Sequence, residues 1–275
     1  MIARVLGPLQ ATLNGVSVVP TAPMARRVLA LLVLDHGRVV RLGTLEDELW
    51  GPTPPRSAST GVQNSVMQIR RAMDRALREQ PGGPSGKELL TTEPTGYRLG
   101  LTGHHFDVDQ YRDGIAGAER AEAAGELVLA LSATRAALAL WSDTPLSDLP
   151  VGPVLQSHVL RLEEERKAGL RRRISLELRL RRHGEIIGEL RQLTEREPYD
   201  ETLHEFLMFA LHFSGRRNEA LSTYQGFRSA LAESVGLEPS SRLRSLQQAI
   251  LLAEDSLEDS LLDPSLIGAG PTTRW

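Results

Sequence analysis

Apolar and polar positions follow two different periods along this chain, and the change of period divides it. The first twenty residues hold short apolar runs that predict strands at 4–6, 11–13 and 16–19. Leu13-Asn14-Gly15-Val16, between the last two, is a two-residue hairpin signal, because Asn and Gly accept the positive φ angles of a type I′ turn. Thr21 is placed to cap a helix that starts near Pro23 and runs apolar through Val28, Leu31 and Leu32 to Leu34, where Asp35-His36-Gly37 stops it. A shorter helix fits Thr44 to Trp50. Gly51-Pro52-Thr53-Pro54-Pro55 then breaks the chain as a rigid loop.

From Ser57 to Arg78 the apolar residues Val62, Val66, Ile69, Met73 and Leu77 form one stripe at helical spacing. The opposite face carries Ser57, Thr60, Asn64, Gln68, Arg71 and Arg75, with Arg78 at its margin, so it is polar, long-armed and basic. Pro81-Gly82-Gly83-Pro84-Ser85-Gly86 reads as a flexible loop. Glu88 to Thr92 and Gly96 to Leu101 read as a hairpin that turns at Glu93-Pro94-Thr95-Gly96.

After His104-His105 the pattern is almost purely helical, with helices predicted at 107–123, 125–140, 154–183, 185–196, 199–213, 215–234 and 240–254. Glu185-Ile186…Leu190…Leu193 recurs 34 residues later as Glu219-Ala220…Tyr224…Phe227, a spacing that resembles the second helix of tetratricopeptide repeats. Stacked helix pairs of that kind bury a continuous core and leave a concave surface for a partner. The acidic segment 255–275 reads as a disordered tail, with a docked terminal helix as the alternative.

Charge sharpens this division. The 275 residues carry Lys+Arg 32 and Asp+Glu 35, a net charge of −3. Residues 1–105 hold 12 basic and 8 acidic residues, for +4, and residues 106–275 hold 20 and 27, for −7. A basic stripe therefore sits inside an acidic whole, concentrated at Arg56, Arg70, Arg71, Arg75 and Arg78. Taken alone, such a helix face is most often a solvated surface; the order of the elements around it is what points to nucleic acid.

Other chemistry is poorly supported. Zero cysteines remove disulfides, thiolate catalysis and Cys-based metal sites. No apolar run is long enough to span a membrane, and the start MIARVLGPLQ lacks a signal-peptide pattern, so a cytoplasmic protein is expected. Gly82-Gly83-Pro84-Ser85-Gly86-Lys87 resembles a phosphate loop only superficially, since Pro81 replaces its first glycine and Glu88 its Mg²⁺-binding hydroxyl. The seven histidines are scattered without ligand spacing. No enzyme, no metal and no cofactor is expected.

The predicted order of sheet, helix, short helix, proline-rich loop, basic helix and terminal hairpin is that of a winged helix-turn-helix, whose third helix enters the major groove while the hairpin reaches the neighbouring minor groove. In that frame Asn64 and Gln68 are candidate base readers, since Asn and Gln pair bidentately with adenine, and the arginines are candidate phosphate contacts.

The segment Thr60-Gly61-Val62-Gln63-Asn64-Ser65-Val66-Met67-Gln68-Ile69-Arg70-Arg71, with Leu49-Trp50-Gly51 before it and Thr95-Gly96-Tyr97-Arg98-Leu99 after it, resembles the OmpR/PhoB-type DNA-binding domain. Ala139-Leu140-Trp141, Pro145-Leu146-Ser147-Asp148-Leu149, Arg161-Leu162-Glu163-Glu164, Ser214-Gly215-Arg216-Arg217 and Gly236-Leu237-Glu238-Pro239 resemble the bacterial transcriptional activator domain. Together they are similar to the Streptomyces antibiotic regulatory protein (SARP) family, in its small stand-alone form. The fold this implies is mainly α with small β: a winged helix-turn-helix over 1–103, an all-α tetratricopeptide-like activator domain over 104–254, and a tail.

The resemblance implies a transcriptional activator of a secondary-metabolite gene cluster that binds direct repeats in promoter DNA near the −35 region, pairs with a second copy there, and recruits RNA polymerase holoenzyme with its sigma factor. It places Thr60, Asn64, Gln68, Arg70, Arg71, Arg75, Tyr97 and Arg98 at DNA, and the loop Pro52, Thr53, Pro54, Pro55 and Arg56 at polymerase. Two positions depart from the family pattern: Gln68 stands where an arginine usually reads a base, and Glu93 where the wing usually carries an arginine. The alternative is a protein-interaction adaptor whose winged helix has lost DNA binding.

Overall fold

Pro23, with φ fixed by its ring, opens a helix that is apolar almost all round, and Val28, Leu29, Ala30, Leu31 and Leu32 are withdrawn from solvent on every side. The rest of the N-terminal architecture is assembled around this helix. The computed structural model describes residues 1–78, 84–100 and 105–252. The loop at Pro81 to Gly83, the hairpin end at Leu101, His104 and the acidic tail lie outside the described residues. Contacts divide the chain into two compact units, Met1–Ala116 with Ala136–Arg166, and Gly117–Arg135 with the residues from Lys167 onward.

The first unit begins with strands β1 (Ile2–Arg4), β2 (Gln10–Leu13) and β3 (Val16–Ser17), then helix α1 (Pro23–Leu34), strand β4 (Val39–Arg41), and helices α2 (Leu42–Trp50) and α3 (Ala58–Leu77). A helical turn α4 (Gly86–Leu89) leads into strands β5 (Leu90–Glu93), β6 (Gly96–Leu99) and β7 (His105–Phe106). Helix α5 (Asp107–Ala123), helix α6 (Leu127–Leu138) and helix α7 (Pro153–Arg179) follow, each contributing residues to both units. One sheet has the order β3-β2-β1-β7, antiparallel except for the parallel β1–β7 pair, with Ala3 opposite Phe106. The other has the order β4-β6-β5 and is antiparallel throughout.

The hairpin between β2 and β3 turns at Asn14 and Gly15, both with positive φ (51° and 79°), as the type I′ signal requires. Several local expectations need correction. The first strand lies at Ile2–Arg4 rather than 4–6, because Val5 and Leu6 turn inward and give their amides to the buried Asp107 carboxylate. Thr21 does not cap α1; Ala22 occupies that position without a side-chain hydrogen bond. Glu88 is not in a strand. Ser85 and Glu88 form a capping box around the α4 turn, with Ser85 Oγ accepting from Glu88 N at 3.4 Å and Ser85 N donating to Glu88 Oε2 at 2.6 Å. The Ser85 N–H and hydroxyl, both donating to Glu88 Oε2, hold that carboxyl below the usual range. Strands β4 and β7 are additions to the sequence reading: two or three residues are too short to show a period.

The second unit contains the later turns of α7 and helices α8 (His183–Arg196), α9 (Glu201–Phe213), α10 (Arg217–Val235) and α11 (Ser241–Leu252). The 34-residue repeat is physical. Ile186 and Leu190 on α8 are buried at the positions that Ala220 and Tyr224 occupy on α10, packed on α9. The turn before each helix repeats as well: Arg182 N bonds Glu177 O after a left-handed Arg181 (φ 59°), and Arg216 N bonds Leu211 O after a left-handed Gly215 (φ 75°). The helical domain is thus tetratricopeptide-like. Together with the N-terminal winged helix-turn-helix, it gives the mainly α architecture that the motifs implied.

Candidate nucleic-acid interface

Helix α3 buries Val62, Val66, Ile69 and Met73 at 0 to 2% exposure, which seats one face on α1 and α2 and turns the other to solvent. Gly61 sets the closeness of that seat, since a Cβ there would meet the Trp50 ring at 2.8 Å. Ser65 returns its hydroxyl to Gly61 O and so stays buried without cost. Thr60, Asn64, Gln68, Arg71 and Arg75 are exposed on the outward face, as are Gln63 and Met67 between them. Among the described residues Arg71 and Arg75 form no ion pair, so both guanidinium groups stand available to an anionic partner.

Arg70 is placed differently. Its Nε and Nη2 donate to Leu90 O at 2.9 and 2.7 Å, Nη2 also donates to Thr92 Oγ1 at 2.8 Å, and its guanidinium lies 6.0 Å from the Tyr97 ring. It therefore ties α3 to the β5–β6 hairpin. Tyr97 is 8% exposed beneath it and is not brought to the outward face, because strand alternation sends Tyr97 inward and Arg98 outward. Arg98 in turn is held by Glu93, Nε to Oε1 at 3.0 Å, which cancels the one cation on the described hairpin strands.

The loop Pro52, Thr53, Pro54, Pro55 and Arg56 is exposed throughout. Gly51, with φ 64°, directs the chain out of α2, and Ala58 N bonds Pro55 O to start α3.

Three carboxylates that sequence reasoning passed over hold this unit together. Glu48 is fully buried: Oε1 accepts from Arg27 Nε and Gly152 N, and Oε2 from Leu155 N, so a side chain of α2 caps the start of α7. Asp107 accepts from Val5, Leu6 and Val108 amides, and burial pushes its carboxyl above the usual range despite them. Asp148 accepts from Leu9 N and pairs with Arg26. Charged residues inside an apolar pattern were the available signal for Glu48, but the two amides it accepts from lie about 100 residues away in sequence. Among the described residues no group of three His, Asp or Glu could hold a metal ion, and no helix is long and apolar enough to cross a membrane.

Residues 106–251 match the family described as Bacterial transcriptional activator domain. The chain is 41% identical over 258 residues to Regulatory protein DnrI of Streptomyces peucetius, covering 94% of each. This chain belongs to the Streptomyces antibiotic regulatory protein family. As a member of that family it also matches Regulatory protein AfsR of Streptomyces coelicolor, at 37% identity over 256 residues, but spans only 24% of that longer relative. A solved structure of Mycobacterium tuberculosis EmbR in complex with a low-affinity phosphopeptide superposes with a TM-score of 0.83 at 30% identity, covering 91% of this chain and 65% of EmbR. These relatives are regulatory proteins, EmbR a transcriptional one, and DNA and the transcription machinery are the partners that membership implies.

Proposed function

We propose that this family member is a DNA-binding transcriptional activator that acts in the cytoplasm on a secondary-metabolite gene cluster. Helix α3 enters the major groove, where Asn64 and Gln68 read bases and Arg71 and Arg75 neutralise phosphates. Two copies bind direct repeats near the −35 region, about one helical turn apart so that both recognition helices enter the same face. The loop Pro52 to Arg56 and the repeat helices meet RNA polymerase holoenzyme. The observation that carries this reading is the exposed face of α3, polar apart from Met67, basic at Arg71 and Arg75, and opposite a fully buried stripe. A mobility-shift assay on the DNA upstream of adjacent biosynthetic genes, with and without holoenzyme, tests it. A retarded complex strengthened by holoenzyme is expected, and no complex in either condition overturns it.

The adaptor reading is favoured by two contacts. Glu93 neutralises Arg98, and Arg70 is spent on the hairpin, which leaves fewer cations facing out than the sequence suggested. In that case the repeat domain captures a protein partner and the shift assay is blank.

A further inference from the structure

A lone exposed apolar side chain on a protein surface needs no explanation, but Met67 has an unusual position. It is 42% exposed in the middle of the outward face of α3, one turn from Gln63, Asn64 and Arg71, with Gln68 next to it in sequence. Every other side chain on that face can make hydrogen bonds. The apolar side of the same helix is already complete, with Val62, Val66, Ile69 and Met73 filling the seat, so the core has no use for Met67.

Among the hydrogen-bond donors and acceptors on the floor of the major groove the bases present one methyl group, the 5-methyl of thymine. Where thymine has its methyl, cytosine has only C5–H beside its amino group, so a thioether there loses the methyl contact and takes water from a donor to which it returns only a weak acceptor. Met is unbranched and adapts its shape, which suits a site whose flanking polar residues fix the register.

We propose that Met67 is a specificity-determining residue that packs on a thymine 5-methyl group and selects thymine over cytosine at that base pair. The proposal rests on the reading of α3 as a recognition helix. Asn64 and Gln68 would supply the hydrogen-bonded contacts on either side, so the sequence read by this stretch of helix is rich in A·T pairs.

The full-length protein is used to select duplexes from a randomised pool, and each thymine of the selected site is then replaced singly by deoxyuridine, which removes only the methyl. One replacement is expected to weaken binding about fourfold, equivalent to ~0.8 kcal/mol for one buried methyl-sized group. Met67→Ala is expected to bind the parent site more weakly and to be indifferent to that methyl, with an unchanged melting temperature because the side chain is outside the core. Met67→Leu should keep the methyl sensitivity. If no duplex is selected, the recognition-helix reading falls and this proposal with it. If a site is selected and bound but no deoxyuridine replacement matters, or Met67→Ala remains as methyl-sensitive as the parent, only the role of Met67 is overturned.

Discussion

Glu48 Oε2 accepts the backbone N–H of Leu155 at 2.9 Å, joining residues 107 positions apart in the chain. The same carboxylate holds Gly152 N and the Arg27 guanidinium, so the helix that precedes α3 also caps the first turn of α7. Gly152 allows this approach; a Cβ there would fall 2.0 Å from Glu48 O and 2.2 Å from Arg27 Nη2. Glu48→Ala leaves two amides without their acceptor and the partly buried Arg27 without its counter-ion, with only the Glu48 and Leu49 carbonyls still accepting from it, and is expected to destabilise the N-terminal unit by about 3 kcal/mol. Glu48→Gln, which keeps one acceptor oxygen, should cost less. Urea unfolding midpoints of the two variants check the order.

Arg70 and Arg71 are neighbours with separate jobs. Arg70→Ala removes three hydrogen bonds from the Leu90–Thr92 edge and is expected to cost about 1–3 kcal/mol of stability. Arg71→Ala leaves the melting temperature unchanged and lowers the slope of log affinity against log salt by about 0.9, one phosphate contact. Calorimetry and a salt titration on one operator separate them; equal salt effects from both variants contradict the assignment.

Glu93 silences Arg98 at 3.0 Å. Glu93→Gln should release the guanidinium toward a phosphate, strengthening DNA binding and steepening the salt dependence by a slope of about 1. Glu93→Arg should strengthen it further. Affinity that is unchanged in both variants places this hairpin away from DNA.

His158 in the first unit and His204 in the second each make stability sensitive to acid. Burial lowers both from the ordinary 6.5, although His158 has Asp35 at 3.7 Å and His204 Nε2 faces Pro198 O at 3.1 Å. With a folded pKa below the unfolded one, the unfolded chain binds more protons in the interval between them. Stability therefore rises with pH through that window and is lost as pH falls below 6.5. Thermal melts should be flat above neutrality and drop below pH 6.5. His204→Gln should shallow the drop, and an identical profile for that variant would rule out its share.

Much of the fold was legible because it is written in local periods. The Val62-Val66-Ile69-Met73 stripe, the Asn14-Gly15 turn and the 34-residue recurrence from Ile186 to Ala220 each depend on residues a few positions apart or on a copied unit. The outward face of α3 was legible for the same reason, as the complement of a buried stripe. The α4 turn was also readable, since Ser85-x-x-Glu88 is a capping signature, but the apolar residues after it favoured a strand.

What the sequence determined by itself was therefore the helices, the hairpins and which side of α3 faces out, together with the family to which those motifs belong. Tertiary structure decided how the charges are used. Arginine is long and has five donors, so spacing cannot tell whether Arg70 reaches a phosphate or a carbonyl on β5, nor whether Arg98 is free or held by Glu93. Glu48, Asp107 and Asp148 are ordinary surface residues by type, and only the return of distant backbone amides to their carboxylates makes them the fasteners of the N-terminal unit. Local patterns encode which face is buried; long-range folding assigns the partners of each polar group, because a buried donor or acceptor must be satisfied by whatever the chain brings beside it.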